Sequence, residues 1–275
     1  MGRIVRRTKS KQRLMPKLLR ALVALAIIGM GQAASCHAGE AWADSYEVGP
    51  FSCWADFPLG RMRPFLSRLL DLQNDLVNHL HISPAEEKIE LLLFRSEWTY
   101  RGYLRRNFPN VPYRQALFIK HKGAGTVLAH WNEDFQTDVR HECTHALLHA
   151  SLPMVPLWLD EGLAEYYELP PRKRAFDNPY AKKLVLPLMI GNGTKLEYLE
   201  GLADYEKMGG DDYRDCWAWV HFMLHGSEEA GHELVKFLAE IEAGNYPGLM
   251  SKRLAKRISR PTVRCANHHR GWKRR

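Results

Sequence analysis

His141-Glu142-Cys143-Thr144-His145, followed after a short break by Leu157-Trp158-Leu159-Asp160-Glu161-Gly162-Leu163-Ala164-Glu165-Tyr166, sets the frame in which the remaining chain is understood. The first part spells H-E-x-x-H. On a helix, residues four apart lie about 40° apart around the axis and one turn along it, so the imidazoles of His141 and His145 can reach one metal ion. Glu142 then points to the side of the pair, in hydrogen-bond reach of a water on that ion but outside the ligand set. Two histidines are half a site, because a catalytic zinc takes three protein ligands and keeps a fourth position open. Glu161 is the natural third ligand. It lies sixteen residues past His145, and Ala146 to Pro156 is long enough to finish one helix, turn at Ser151-Leu152-Pro153 and start a second helix running back. Glu165, one turn beyond Glu161, is expected to sit behind the metal and accept the free ring N–H of a ligand histidine, the contact that fixes tautomer and orientation.

The run His141-Glu142-Cys143-Thr144-His145-Ala146-Leu147-Leu148 with Pro156-Leu157-Trp158-Leu159-Asp160-Glu161-Gly162-Leu163-Ala164-Glu165-Tyr166 resembles the gluzincin clan of zinc metallopeptidases, most closely the bacterial peptidase MA-like domains. The matched pattern spans roughly Ile89 to Leu224 and is strongest from Asp138 to Tyr167. The resemblance implies a zincin-like fold, zinc held by His141, His145 and Glu161, Glu142 as general base, and a peptide or protein substrate. It also implies that the strand before the zinc helix, Thr126 to His130, is the edge that holds an extended substrate. Tyr213, at the start of a later helix, resembles the clan's tyrosine that donates to the tetrahedral oxyanion, although aromatics at helical spacing are more often core.

The first twenty residues hold eight Lys or Arg and no acid, and Ala21 to Gly31 is an apolar run followed by Ala33, Ala34, Ser35, Cys36 and Ala38. Basic, apolar and small residues in that order read as a secretory signal over residues 1–38, because the apolar run is too short to span a bilayer comfortably. The expected location is therefore outside the cytoplasm, in the envelope or secreted. The leader also carries the whole charge excess: of 39 Lys and Arg in the chain, 31 remain beyond it, against 31 Asp and Glu. Ten of those 31 lie between Lys252 and Arg275, where there is no acid, so residues 252–275 read as a basic tail. Such a tail can contact an anionic envelope polymer or lipid weakly. A solvated or self-docking segment is the plainer reading, and no nucleic-acid partner is expected behind a secretory leader. Cys53, Cys143, Cys216 and Cys265 follow the leader, where a disulfide is permitted but its pairing is not deducible.

The remaining chain reads as an α+β domain over residues 39–251, a small N-terminal mixed sheet with helices (about 45–131) followed by a mainly helical lobe (about 132–244). Tyr46 to Trp54 reads as a strand, Arg61 to Leu80 as an amphipathic helix, Lys88 to Phe94 as a buried strand, and Ser96 as the cap of a helix ending near Asn107. Ala116 to His121 and Thr126 to Trp131 read as strands joined by Lys122-Gly123-Ala124-Gly125. The zinc helix is expected from near Asn132, with Phe135, Val139, Cys143, Ala146 and Ala150 on a core stripe and the histidines on another face. His149 continues the histidine face as an outer or surface imidazole. Pro170-Pro171 ends the second helix, and Asn192-Gly193-Thr194 is a glycosylation sequon that matters only in a eukaryotic secretory pathway. Asp211-Asp212 opens a helix with Tyr213, Cys216, Trp217, Val220 and Leu224 at helical spacing, and Glu228 to Ala243 gives one more. The function expected is peptide-bond hydrolysis by a zinc-activated water. The rivals are a catalytically silent zinc-containing envelope binding or scaffold protein, and a nucleic-acid-associated metalloprotease that the leader disfavours.

Overall fold

The computed structural model describes residues 42–120, 125–184 and 195–272. The leader at residues 1–38, most of the Lys122-Gly123-Ala124-Gly125 connection and the Asn192-Gly193-Thr194 sequon lie outside the described residues. No described helix is long and apolar enough to cross a membrane.

Strands β1 (Asp44–Val48), β2 (Phe51–Ala55), β3 (Ile89–Phe94), β4 (Ala116–Ile119) and β5 (Thr126–His130) form one mixed sheet in the order β1-β2-β3-β5-β4. β2, β3 and β5 run parallel, while β1 and β4 pair antiparallel to their neighbours. The single strand expected over Tyr46 to Trp54 is instead a hairpin. Gly49-Pro50 forms its two-residue turn, with Val48 opposite Phe51 and Gly49 at φ +55°, a conformation only glycine takes without strain.

The strands read as nearly continuous apolar runs because both faces of the sheet are covered. Alternate residues divide between two cores: Leu91, Leu93, Val127, Ala129 and Phe118 face the larger one, and Leu92, Phe94, Leu128, Leu117 and Ile119 face the smaller. Helix α2 (Glu97–Asn107) covers the smaller core with Tyr100, Tyr103 and Leu104, and Ser96 caps it by accepting the Thr99 N–H at 3.2 Å. Helices α1 (Arg63–Leu80) and α3 (Phe135–Ser151) lie on the other face. β5 is hydrogen-bonded on both sides, so it is not the free edge that the sequence led us to expect at Thr126–His130. The edge strand beside α3 is β4, because the chain makes a hairpin back against β5 before entering that helix.

Past α3 the described residues form no strand and are mainly helical. α4 (Leu157–Tyr167) is followed by the short helices α5 (Pro171–Arg174), α6 (Pro179–Lys183) and α7 (Leu196–Glu200), and a 3-10 turn at Tyr205–Lys207. The longer α8 (Gly210–His225) then packs on α4, and α9 (Glu228–Glu242) packs on α8.

The basic segment from Lys252 is not a free tail. α10 (Met250–Arg257) and α11 (Pro261–Trp272) pack back on α9 and α8, burying Leu254, Cys265 and Ala266. Arg253 of this segment bonds to Glu233 and Glu240 of α9, so part of its charge is neutralised within the fold. The four described cysteines are buried and free, and among the described residues none is paired.

Candidate metal centre

α3 begins at Phe135 rather than near Asn132, because the Asn132 side chain accepts the Asp134 N–H at 2.7 Å and holds Glu133 and Asp134 ahead of the first turn. Phe135, Val139, Cys143 and Ala146 pack into the main core and Ala150 lies partly buried at its margin. The opposite face carries Asp138, Arg140, His141, Glu142 and His145, and all five are buried too. A helix buried on its polar face needs partners there. Asn132 supplies one for Asp138, and those for Arg140, His141 and His145 come from α4 and its C-terminal end, which follow a sharp break: Leu152 is extended and Pro153 cannot continue the helix.

Arg140 sets the relation between the two helices. Its Nη2 donates to the Tyr167 carbonyl at 3.0 Å and its Nε to the Glu168 carbonyl at 3.2 Å, so a guanidinium from α3 closes the C-terminal end of α4. Burial lowers the pKa of Arg140 to about 10, still well above neutrality, so the cation persists.

With the helices so placed, His141, His145 and Glu161 converge. The Nε2 atoms of His141 and His145 are 3.2 Å apart, and Glu161 Oε2 lies 3.6 Å from the first and 3.8 Å from the second. The circle through these three atoms has a radius of about 2.1 Å, within the ~2.0–2.2 Å at which zinc meets nitrogen and oxygen ligands. A single ion can therefore touch all three without a rotamer change. Both carboxylate oxygens of Glu161 are buried and have no hydrogen-bond partner. Leaving an ionised carboxylate in that state costs several kcal/mol, and a cation among the three ligand atoms offsets it. The donor set of two imidazoles and one carboxylate suits zinc.

The ring nitrogens facing away from this point are also engaged. His145 Nδ1 lies 2.9 Å from Asp160 Oδ1, and His141 Nδ1 lies 3.2 Å from Glu168 Oε2. These two acids, rather than Glu165, hold the ligand rings. Glu165 is buried nearby and accepts a hydrogen bond from Tyr180 of α6. Asp160 also reaches His149 Nε2 at 2.9 Å and Tyr205 at 3.5 Å, so His149 stands one shell out from the ligand pair. Neither role was recognised from sequence, although Asp160 stands beside Glu161 and Glu168 lies two turns beyond it on the same helical face.

The field here favours a cation. Burial opposes protonation of His141, but Glu161, Glu168, Glu165 and Glu142 outweigh it and hold its pKa well above the ordinary value. His145 is raised in the same way, with burial overcome by Asp160 and Glu161. Asp160 is driven below the usual carboxylate range, since His145 and His149 prevail over its burial. Burial pushes Glu142 up to about 7. Its Oε2 is buried and makes no hydrogen bond. Tyr213, in the first turn of α8, is buried close enough to Glu161 and Glu165 that their charge adds to burial in raising its phenol pKa. No protein-family model matches the chain, and no curated protein matches it.

Proposed function

We propose that this chain is an exported, zincin-like zinc metallopeptidase of gluzincin type that hydrolyses peptide bonds in a peptide or protein substrate. The observation that carries the reading is Glu142. It is a buried carboxylate near enough to His141, His145 and Glu161 to feel their charges, with one oxygen unpartnered, and a site that only needs to hold a metal has no use for it. Zinc bound by His141, His145 and Glu161 supplies a Lewis acid that brings the pKa of water toward about 7 and polarises a scissile carbonyl. Glu142 takes the proton of the attacking water at Oε2 and delivers it to the leaving amine. Asp160 and Glu168 keep the two imidazoles in the tautomer that presents Nε2 inward. Tyr213 stays protonated at neutral pH and donates to the developing oxyanion.

A second reading is a catalytically silent zinc-binding protein of the envelope. It is favoured by the closure of the centre, where His145 and Glu161 have 0 % exposure, since structural zinc sites are closed. Turnover separates the two. The expected result is that the wild-type protein cleaves an unfolded protein or a peptide library, while Glu142→Gln keeps zinc and fold and loses about 10²- to 10⁴-fold in rate. Tyr213→Phe is expected to lose about 10²- to 10³-fold. A Glu142→Gln protein as fast as wild type would sink the peptidase mechanism. A zinc-loaded, folded wild type that cleaves nothing would establish the silent reading.

A further inference from the structure

α8 and α11 bring a second group of imidazoles together. One ring nitrogen from each of His221, His268 and His269 lies within 4.8 Å of the other two. His221 is fully buried and the other two are partly buried. The hydrogen bonds decide which nitrogens are free to bind. His221 Nε2 lies 2.9 Å from the Ala175 carbonyl and His269 Nε2 lies 2.9 Å from the Ala218 carbonyl. A carbonyl only accepts, so both Nε2 atoms carry hydrogen and both Nδ1 atoms keep a lone pair. This is the arrangement that orients histidines at metal sites, with one ring nitrogen donating to a carbonyl and the other turned to the ion.

His221 Nδ1 is 2.9 Å from His268 Nε2, against about 3.3 Å between two nitrogens on a tetrahedral zinc at Zn–N of about 2.0–2.1 Å. An ion between them replaces one N–H···N bond, with the His268 proton moving to Nδ1. Partly buried His269, one ring nitrogen of which lies within 4.8 Å of the other two residues' nitrogens, would complete the set by a movement of its side chain. Trp217 and Trp272 lie against these rings in tilted and edge-on contacts, and Trp272 Nε1 donates to the same Ala175 carbonyl at 2.7 Å, so the pocket wall is aromatic and its hydrogen-bond frame is in place.

We propose that His221, His268 and His269 form a second metal site, taking a borderline divalent ion such as Zn²⁺, Cu²⁺ or Ni²⁺ and clamping α11 onto α8. An all-imidazole set without a carboxylate excludes Ca²⁺ and Mg²⁺, which require oxygen ligands.

The test is zinc stoichiometry and affinity of the full chain, measured by competition with a chromophoric chelator in the wild type, His145→Ala, the double variant His268→Asn/His269→Asn, and the combination. Expected are two zinc ions in wild type, one in each of the first two variants and none in the combination. The double variant alone is expected to weaken the second site by at least about 100-fold and to remove its share of the zinc-induced rise in Tm. If the first centre holds no metal, wild type carries one ion and the double variant none, so this proposal stands or falls independently of the first. Should His145→Ala fail to fold by circular dichroism, wild type against the double variant gives the same answer. Cu²⁺ electron paramagnetic resonance on wild type is a further readout that needs no variant, with superhyperfine lines from three nitrogens and no carboxylate at the second equivalent. Unchanged zinc content in the double variant, or no Cu²⁺ signal with three-nitrogen coupling at any equivalent in wild type, overturns the proposal.

Discussion

At the scale of single residues, Asp160 and Glu168 act on His145 and His141 through their outer ring nitrogens. Removing such a partner typically lowers metal affinity 10- to 100-fold, because the ring keeps its place but loses its fixed tautomer and some basicity. Asp160 is fully buried and shared between His145 and His149, whereas the Glu168 side chain is 15 % exposed, so water can replace it. Asp160→Asn is therefore expected near the upper end of that range and Glu168→Gln near the lower, read from zinc affinity at the first centre by chelator competition. Equal affinity to wild type in both variants would mean that packing alone orients the rings. That His141, His145 and Glu161 come together was legible because which side chains share a helix face is a matter of spacing. The exchange of Glu165 for Glu168 was not, since Tyr180, which engages Glu165, arrives from a separate helix fifteen residues on. Nor did spacing reveal Arg140, whose partners are main-chain carbonyls that no motif encodes.

At the scale of elements, the contact that holds Glu161 in place is the packing of α4 on α8, and Gly162 is a point of close approach in it. A Cβ there would meet the Cys216 carbonyl oxygen at 2.6 Å and Val220 Cγ2 at 2.7 Å. Two effects compete in Gly162→Ala. Alanine is favoured over glycine inside a helix by roughly 0.5–1 kcal/mol, but overpacking costs about 1–3 kcal/mol, and here the obstacle includes backbone, which cannot swing aside. The clash should win, giving a net loss of about 1–2 kcal/mol in urea denaturation and weaker zinc binding as α4 is pushed from α3. A more stable variant would show that α8 yields freely. The main helices were readable from apolar periodicity, and Ser96 from its cap position. The hairpin at Gly49-Pro50 was missed because apolar residues on both sides of the turn hide it within one run. The helices after Lys252 were missed because ten basic residues dominate the composition, while the few positions that pack, Leu254, Cys265 and Ala266, declare themselves only against α8 and α9.

At the scale of the whole molecule, one continuous apolar cluster runs from Phe51 and Leu91 of the sheet through Val139 of α3 and Leu163 of α4 to Val220, Leu234 and Cys265. The candidate metal centre at His141, His145 and Glu161 lies within this body, between α3, which rests on the sheet, and α4, which rests on α8. An ion bound only by the folded state stabilises it by RT ln(1 + [L]/Kd), about 4 kcal/mol when free zinc is 1,000-fold above Kd. For a folded body of this size, 1 kcal/mol moves Tm by roughly 2–4 °C. Stripping the first centre should thus lower Tm by roughly 8–16 °C. The measurement is differential scanning calorimetry of His268→Asn/His269→Asn with zinc and with excess chelator, so that only the first centre contributes. Because the apolar cluster is not divided between the sheet and the helical part, the expected trace has a single transition that shifts as a whole. Two transitions, with chelator moving only one, would mean that the sheet and the C-terminal helices unfold separately and that the metal stabilises one of them alone. An unmoved single transition would mean that His141, His145 and Glu161 bind no ion, despite a geometry in which all three ligand atoms can meet one.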